Sequence, residues 1–251
     1  MCGTCGCGEA GVRVTELGHG HGHVIDLQED ILGANDALAA ENRRALAERG
    51  VLAVNLMSSP GSGKTTLLVR TLTDVGAELR MSVVEGDQET LLDAERIGAT
   101  GARVVQVNTG AGCHLDAPML ARAMAALAPP RGSVMVVENV GNLVCPALFD
   151  LGEAARVVVM SVTEGADKPL KYPHMFRTAD LVLLNKVDLL PYVDFDVAAC
   201  VAAARRARPG VEVLEVSATR GDGLDAWYAW VRGLIVRGES APDRAGQAPD
   251  D

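Results

Sequence analysis

Residues 51–66 read Val-Leu-Ala-Val-Asn-Leu-Met-Ser-Ser-Pro-Gly-Ser-Gly-Lys-Thr-Thr, an apolar run passing straight into a glycine-rich loop. A buried strand feeding such a loop, with a helix behind it, turns backbone N–H groups inward around a polyphosphate, and the helix adds its positive N-terminal end. Gly61 and Gly63 let the backbone approach the phosphates, with Ser62 and Thr66 in the same cradle. Lys64 is placed to reach the β/γ oxygens and Thr65 to hold Mg²⁺. One departure from Gly-x-x-x-x-Gly-Lys-Ser/Thr stands out: the first position is Ser58.

The base is legible further on. Leu181-Val-Leu-Leu-Asn-Lys-Val-Asp188 is a hydrophobic strand ending in Asn185-Lys186-x-Asp188. A carboxylate at the last position can accept from both N1–H and the exocyclic amine of guanine. Adenine has no such paired donors and would leave a buried Asp188 unpaired. Ser217 and Ala218 follow at the end of a later strand. Together these segments predict a guanine nucleotide-binding domain for GTP and GDP.

Around them, apolar runs recur at 51–57, 79–84, 103–107, 133–137, 156–162, 181–184 and 211–216. Most are Val-rich without alternation, the pattern of strands buried on both faces. Helical stretches are expected at 64–75, 88–98, 116–127, 195–207 and 224–236. The expected fold is therefore α/β of the P-loop NTPase class: a mostly parallel sheet of about seven strands with helices on both faces. An amphipathic helix from Asp26 to Arg49, with Ile31, Leu32, Leu38, Ala39, Ala45 and Leu46 as its apolar positions, precedes the first strand. The chain divides into a flexible Cys- and His-rich arm (1–24), a GTPase domain (25–237) and a disordered, Pro-rich polar tail (238–251).

Composition narrows the partners. At 251 residues and 48% apolar the chain can bury one sizeable core. A net charge of −10 argues against nucleic acid or anionic membrane as a main partner. No apolar run approaches the ~20 residues of a membrane span, and no secretory signal is visible, so a cytoplasmic protein is expected. The six cysteines then read as thiols or metal ligands rather than disulfides.

Cys2-Gly-Thr-Cys5-Gly-Cys7 puts three thiols within six residues, with glycines allowing the tight turns that bring sulfurs onto one ion. Three thiolates plus the terminal amine give four soft donors; a square-planar arrangement suits Ni²⁺ and a tetrahedral one Zn²⁺. A redox dithiol at Cys2 and Cys5 is the competing reading. His19, His21 and His23 alternate with glycine as a weak metal-collecting arm. Within the domain, Cys113 and His114 leave a strand on a glycine-rich loop where both can turn to one ion, and Cys145 follows Glu138-Asn-Val-Gly-Asn-Leu-Val. Cys200 reads as helix core.

In combination these motifs resemble one family, the hydrogenase nickel-incorporation GTPases of the HypB type: Cys-x-x-Cys-Gly-Cys at 2–7, Ser-Pro-Gly-Ser-Gly-Lys-Thr-Thr at 59–66, Glu85-Gly-Asp87, Gly-Cys-His at 112–114, Glu-Asn-Val-Gly-Asn-Leu-Val-Cys-Pro at 138–146 and Asn-Lys-Val-Asp at 185–188. The resemblance implies a tight nickel site at Cys2, Cys5 and Cys7. It implies a weaker nickel or zinc site at Cys113, His114 and Cys145, at a nucleotide-dependent homodimer interface. It also implies Ni²⁺ delivery to the large-subunit precursor of nickel–iron hydrogenase, together with a HypA-type metallochaperone. Glu138-x-x-Gly141 resembles the γ-phosphate-sensing switch. Asp87 would complete Mg²⁺ coordination with Thr65 and orient the attacking water, beside Lys64 and Glu138 as catalytic groups. With no evident glutamine for that water, slow turnover is expected. The alternatives are a related GTPase serving urease or another metalloenzyme, for which a Cys-Pro-His motif would be expected, and a nickel or zinc buffer.

Overall fold

The computed structural model describes residues 21–88 and 90–240. In chain order the elements are α1 (His21–Glu48), β1 (Leu52–Ser58), α2 (Lys64–Val75), β2 (Ser82–Asp87), α3 (Leu92–Gly98), β3 (Arg103–Asn108), α4 (Ala117–Leu127), β4 (Val134–Glu138), β5 (Ala155–Ser161), α5 (Lys168–Lys171), α6 (Pro173–Thr178), β6 (Leu181–Asn185), α7 (Val197–Ala207), β7 (Glu212–Glu215) and α8 (Leu224–Ser240). Short 3-10 helices cover Cys145–Ala147 and Val187–Tyr192. The seven strands form one sheet in the order β3-β2-β4-β1-β5-β6-β7, and every pairing is parallel. The α/β reading of the sequence holds.

Burial follows position in the sheet. β4 and β6 are buried at every residue, and β1 at all but its first, whereas the edge strands β3 and β7 are half exposed. Because all strands run the same way, their C-terminal ends share one rim. The chain crosses from one side of β1 to the other, and a crevice opens at such a reversal of strand order.

Two boundaries differ from the sequence expectation for physical reasons. The helix expected from 88 begins at Leu92. Asp87 Oδ2 accepts from the Thr90 backbone N–H (2.9 Å) and hydroxyl (2.7 Å), and this side-chain turn holds the segment out of the helix. The short helices α5 and α6, not foreseen, each start with a proline in the first turn, Pro169 and Pro173, where its missing N–H costs nothing.

Helix α1 starts at His21, inside the segment read as an arm, and its buried stripe is Asn35, Ala39, Asn42 and Leu46. Leu38 faces outward instead, 37% exposed. The helix docks through carboxamides. Asn42 Nδ2 donates to the carbonyls of Ala117 (2.9 Å) and Leu151 (3.0 Å). Asn35 donates to Asp150 O (2.8 Å) and accepts from Ala117 N–H (2.9 Å). Asn42→Ala should remove two buried hydrogen bonds and cost about 1–3 kcal/mol. Denaturant unfolding should show the loss as a lower midpoint at constant slope.

Candidate nucleotide and metal site

The rim of strand ends carries a cleft of about 500 Å³, lined by the 60–66 loop, Glu85–Gln88, Asp93, Arg96, Glu138–Gly141 and Lys186. Gly61, Ser62, Gly63, Lys64, Thr65, Thr66, Asp87, Glu138 and Gly141 all line this one cleft. Gly63 sits at φ +96°, and a Cβ there would lie 2.6 Å from Asn185 Nδ2, so only glycine fits. Gly141 is tight as well: a Cβ there would lie 3.1 Å from Pro60 N and Cα.

Ser58, the departure in the loop pattern, has a task. Its Oγ accepts from Lys64 Nζ at 2.7 Å. Burial lowers the Lys64 pKa, while Glu138, Asp93, Glu164 and Glu85 pull it back up. Thr65 Oγ1 donates to Glu138 Oε1 at 2.7 Å. Glu85 and Glu138 face each other across the β2–β4 register. Burial, then repulsion from Glu138, raises the Glu85 pKa to about 8. Burial likewise raises that of Glu138. Among the described residues, Glu85 Oε2, Glu138 Oε2 and Ser62 Oγ are buried with no hydrogen-bond partner. A threonine hydroxyl beside unsatisfied carboxylate oxygens is a hard-oxygen donor set, which fits Mg²⁺.

The base end is built from the β6 terminus. Lys186 takes a left-handed conformation (φ +63°) and its Nζ donates to Gly61 O at 2.7 Å. Asn185 donates to Ser62 O (2.9 Å) and accepts from Ala218 N–H (3.1 Å). Asp188 Oδ1 accepts from Ser217 Oγ at 2.6 Å, which fixes the carboxylate. A further clamp was not read from the sequence: the Ser59 hydroxyl donates to Glu164, whose other oxygen accepts from Ser161 N–H at 3.0 Å. Glu85 is marked in the sequence only as a glutamate following Val83 and Val84 within Glu85-Gly-Asp87.

The candidate metal ligands converge on one another. Cys113 and His114 leave β3 on a loop, and Cys145 opens the 3-10 helix after β4. One ligand atom from each lies within 4.8 Å of the others. Cys113 Sγ is 3.0 Å from Cys145 Sγ and 3.7 Å from His114 Nδ1. The imidazole stacks on Phe149 with ring centres 3.9 Å apart. Burial lowers its pKa and so favours the neutral ring that binds metal. One subunit thus gathers three soft donors. Cys200 lies in the core against Met160, as read. Cys2, Cys5, Cys7, His19 and the tail beyond residue 240 lie outside the described residues, as do the side chains of His21 and His23.

Comparison with known proteins agrees with this geometry. Residues 52–215 match the family model "CobW/HypB/UreG, nucleotide-binding domain". The chain is 58% identical over 230 residues to hydrogenase maturation factor HypB of Rhizobium leguminosarum bv. viciae, covering 92% of this chain and 76% of the relative. Among solved structures, HypB from Helicobacter pylori in complex with nickel is similar at TM-score 0.78 and 35% identity, covering 85% of this chain and 100% of that one. HypB from Archaeoglobus fulgidus is similar at TM-score 0.76 and 41% identity, covering 81% and 100%.

Gly63→Ala should force a left-handed alanine into Asn185 and separate the phosphate loop from the base-binding strand end. Nucleotide affinity, measured by titration with a fluorescent GDP analogue, should fall at least roughly tenfold, a loss of about 1.4 kcal/mol.

Proposed function

This chain belongs to the HypB branch of the CobW/HypB/UreG family, and on that premise we propose that it is a GTP-hydrolysing nickel metallochaperone for maturation of nickel–iron hydrogenase. The observation that carries the reading is one short segment, Glu138 to Cys145, which touches Thr65 of the phosphate loop at one end and Cys113 of the metal cluster at the other.

In this reading GTP lies along the cleft with its base against Asn185, Lys186 and Asp188, steadied by Ser217 and Ala218, and its phosphates in the 61–66 loop. Asp188 accepts from guanine, and the phosphate loop's N–H groups and Lys64 hold the transferred phosphoryl group. Thr65 and Asp87, with the orphaned carboxylate oxygens of Glu138 and Glu85, would hold Mg²⁺, which neutralises charge developing on the phosphates. Asp87 orients the attacking water and Glu138 fixes Thr65. With no glutamine assigned to the water, intrinsic turnover is slow.

Ni²⁺ is cargo. The Cys113/His114/Cys145 site takes Ni²⁺ or Zn²⁺ through two sulfurs and one imidazole nitrogen, and Cys2, Cys5 and Cys7 form a second, tighter nickel site. GTP orders the 138–145 switch and favours a two-fold homodimer, in which the two metal sites complete one another. Hydrolysis loosens that arrangement, and the metal passes on with a HypA-type metallochaperone and the hydrogenase large-subunit precursor as partners. The protein acts in the cytoplasm. No helix among the described residues is long and apolar enough to cross a membrane.

Two measurements test the reading. Asp188→Asn should shift preference from GTP toward xanthosine triphosphate, whose C2 carbonyl replaces the amine; undiminished GTP affinity in that variant would refute the base assignment. Sedimentation with GDP and with a non-hydrolysable GTP analogue, each with and without Ni²⁺, should show a dimer favoured by the analogue and a metal dependence of that preference. Linkage demands the reciprocal effect. A mass indifferent to nucleotide would leave a GTPase and a metal binder merely sharing a chain.

A further inference from the structure

Two asparagines flank Gly141, and both reach the metal loop. Asn139 is 1% exposed, and its Oδ1 accepts from Leu115 N–H (3.1 Å) and from Val140 N–H (3.0 Å). Its Nδ2 donates to Asn55 Oδ1 at 3.3 Å, and Asn55 in turn donates to Glu153 at 3.2 Å, which anchors the arrangement in the sheet. Asn142 Nδ2 donates to Cys113 O at 3.4 Å, and its Oδ1 accepts from Val144 N–H at 2.8 Å. The backbone on both sides of His114 is therefore held by side chains of the switch segment. Leu115 is wedged as well: a Cβ on Gly86 would lie 2.8 Å from its Cγ.

We propose that Asn139 and Asn142 are the positioning residues through which the Cys113/His114/Cys145 site responds to nucleotide; this rests on the metallochaperone reading above. Gly141, packed on Pro60, is where the switch meets the phosphate loop. A shift of residues 138–142 moves the backbone on each side of His114, through Cys113 O and Leu115 N–H. Cys145 lies on the switch segment itself, three residues past Asn142, whereas the 113–115 backbone follows that segment through the two asparagine contacts. The spacing of the three donors then changes with the switch. At position 139 the contact to the metal loop rests on one side-chain oxygen, which accepts from two buried N–H groups, while the nitrogen donates away from that loop to Asn55.

The test is site-resolved alkylation of the full chain with iodoacetamide, read by peptide mass spectrometry. The quantity measured is the Ni²⁺ concentration that half-protects Cys113 and Cys145, with GDP and with a non-hydrolysable GTP analogue. In the parent the two values should differ by about tenfold or more, within the ~5–150-fold range of coupled sites. Asn142→Ala should reduce that ratio to below about threefold while hydrolysing GTP at the parental rate without metal. Asn139→Ala should do likewise to the ratio, and Asn139→Asp, which keeps the accepting oxygen, should recover it. Should Asn139→Ala not fold, Asn142→Ala and Asn139→Asp carry the test. A ratio preserved in the variants, even with Ni²⁺ bound more weakly in both states, overturns the proposal and leaves the asparagines as plain structural supports. A ratio of one in the parent overturns the coupling reading itself.

Discussion

Buried charge in excess of its counter-charge, two carboxylates against one lysine, governs this molecule. Lys64, Glu85 and Glu138 are each less than 9% exposed, and two of the carboxylate oxygens have no partner among the described residues. Ionised groups taken out of water are costly unless paired, which is why Lys64 is pulled down and Glu85 pushed up to about 8. The folded chain prefers a protonated Glu85, so the cost to stability grows as pH rises from 4.5 toward about 8. A site left in that condition is built to be filled. A polyphosphate satisfies the lysine and the loop N–H groups, and a divalent cation satisfies the carboxylates.

The fold concentrates this cost at one rim. Parallel strands deliver every chemical group from their C-terminal ends: the phosphate loop from β1, Glu85 and Asp87 from β2, the metal loop from β3, Glu138 from β4, Glu164 from beyond β5 and Asn185 to Asp188 from β6. The remaining surfaces are spent on three apolar clusters, with α8 docked on α2 through the Trp227–Thr71 hydrogen bond at 2.9 Å. Gly63 is a joint where loops from different strands pass too closely for a side chain, and Gly141 packs tightly on Pro60.

Much of this was readable from residues alone, for identifiable reasons. Unbroken valine-rich runs mark strands buried on both faces, and Gly63-Lys64-Thr65 after such a run leaves little choice of structure. What escaped was polar side chains working in buried places. The stripe of α1 contains Asn35 and Asn42, which a search for apolar periodicity passes over, and so Leu38 was set on the wrong face. Ser58 looked like a lapse from the loop pattern until its hydroxyl was found on Lys64. Glu85 was overshadowed by Asp87 because burial, which raises its pKa, is a property of the register with Glu138 and not of the local sequence. Cys113, His114 and Cys145 are joined into one site in the sequence only by the family resemblance, because their convergence depends on β3 and β4 both flanking β2.

That convergence also bears on how a carrier can release what it binds. In the proposed site two thiols and one imidazole within 4.8 Å are the donors that one subunit offers, and the remaining positions fall to the partner subunit or to an incoming ligand. The affinity of such a site can change without any donor being lost. It can be switched by small changes in donor spacing. A tenfold change in metal affinity needs about 1.4 kcal/mol, close to the net worth of one or two hydrogen bonds. The contacts from the switch to the loop, Asn139 to Leu115 N–H and Asn142 to Cys113 O, are of that size. Strong bonds to the cargo and weak bonds to the switch are therefore compatible demands. The first set how much metal is held, and the second decide when it leaves.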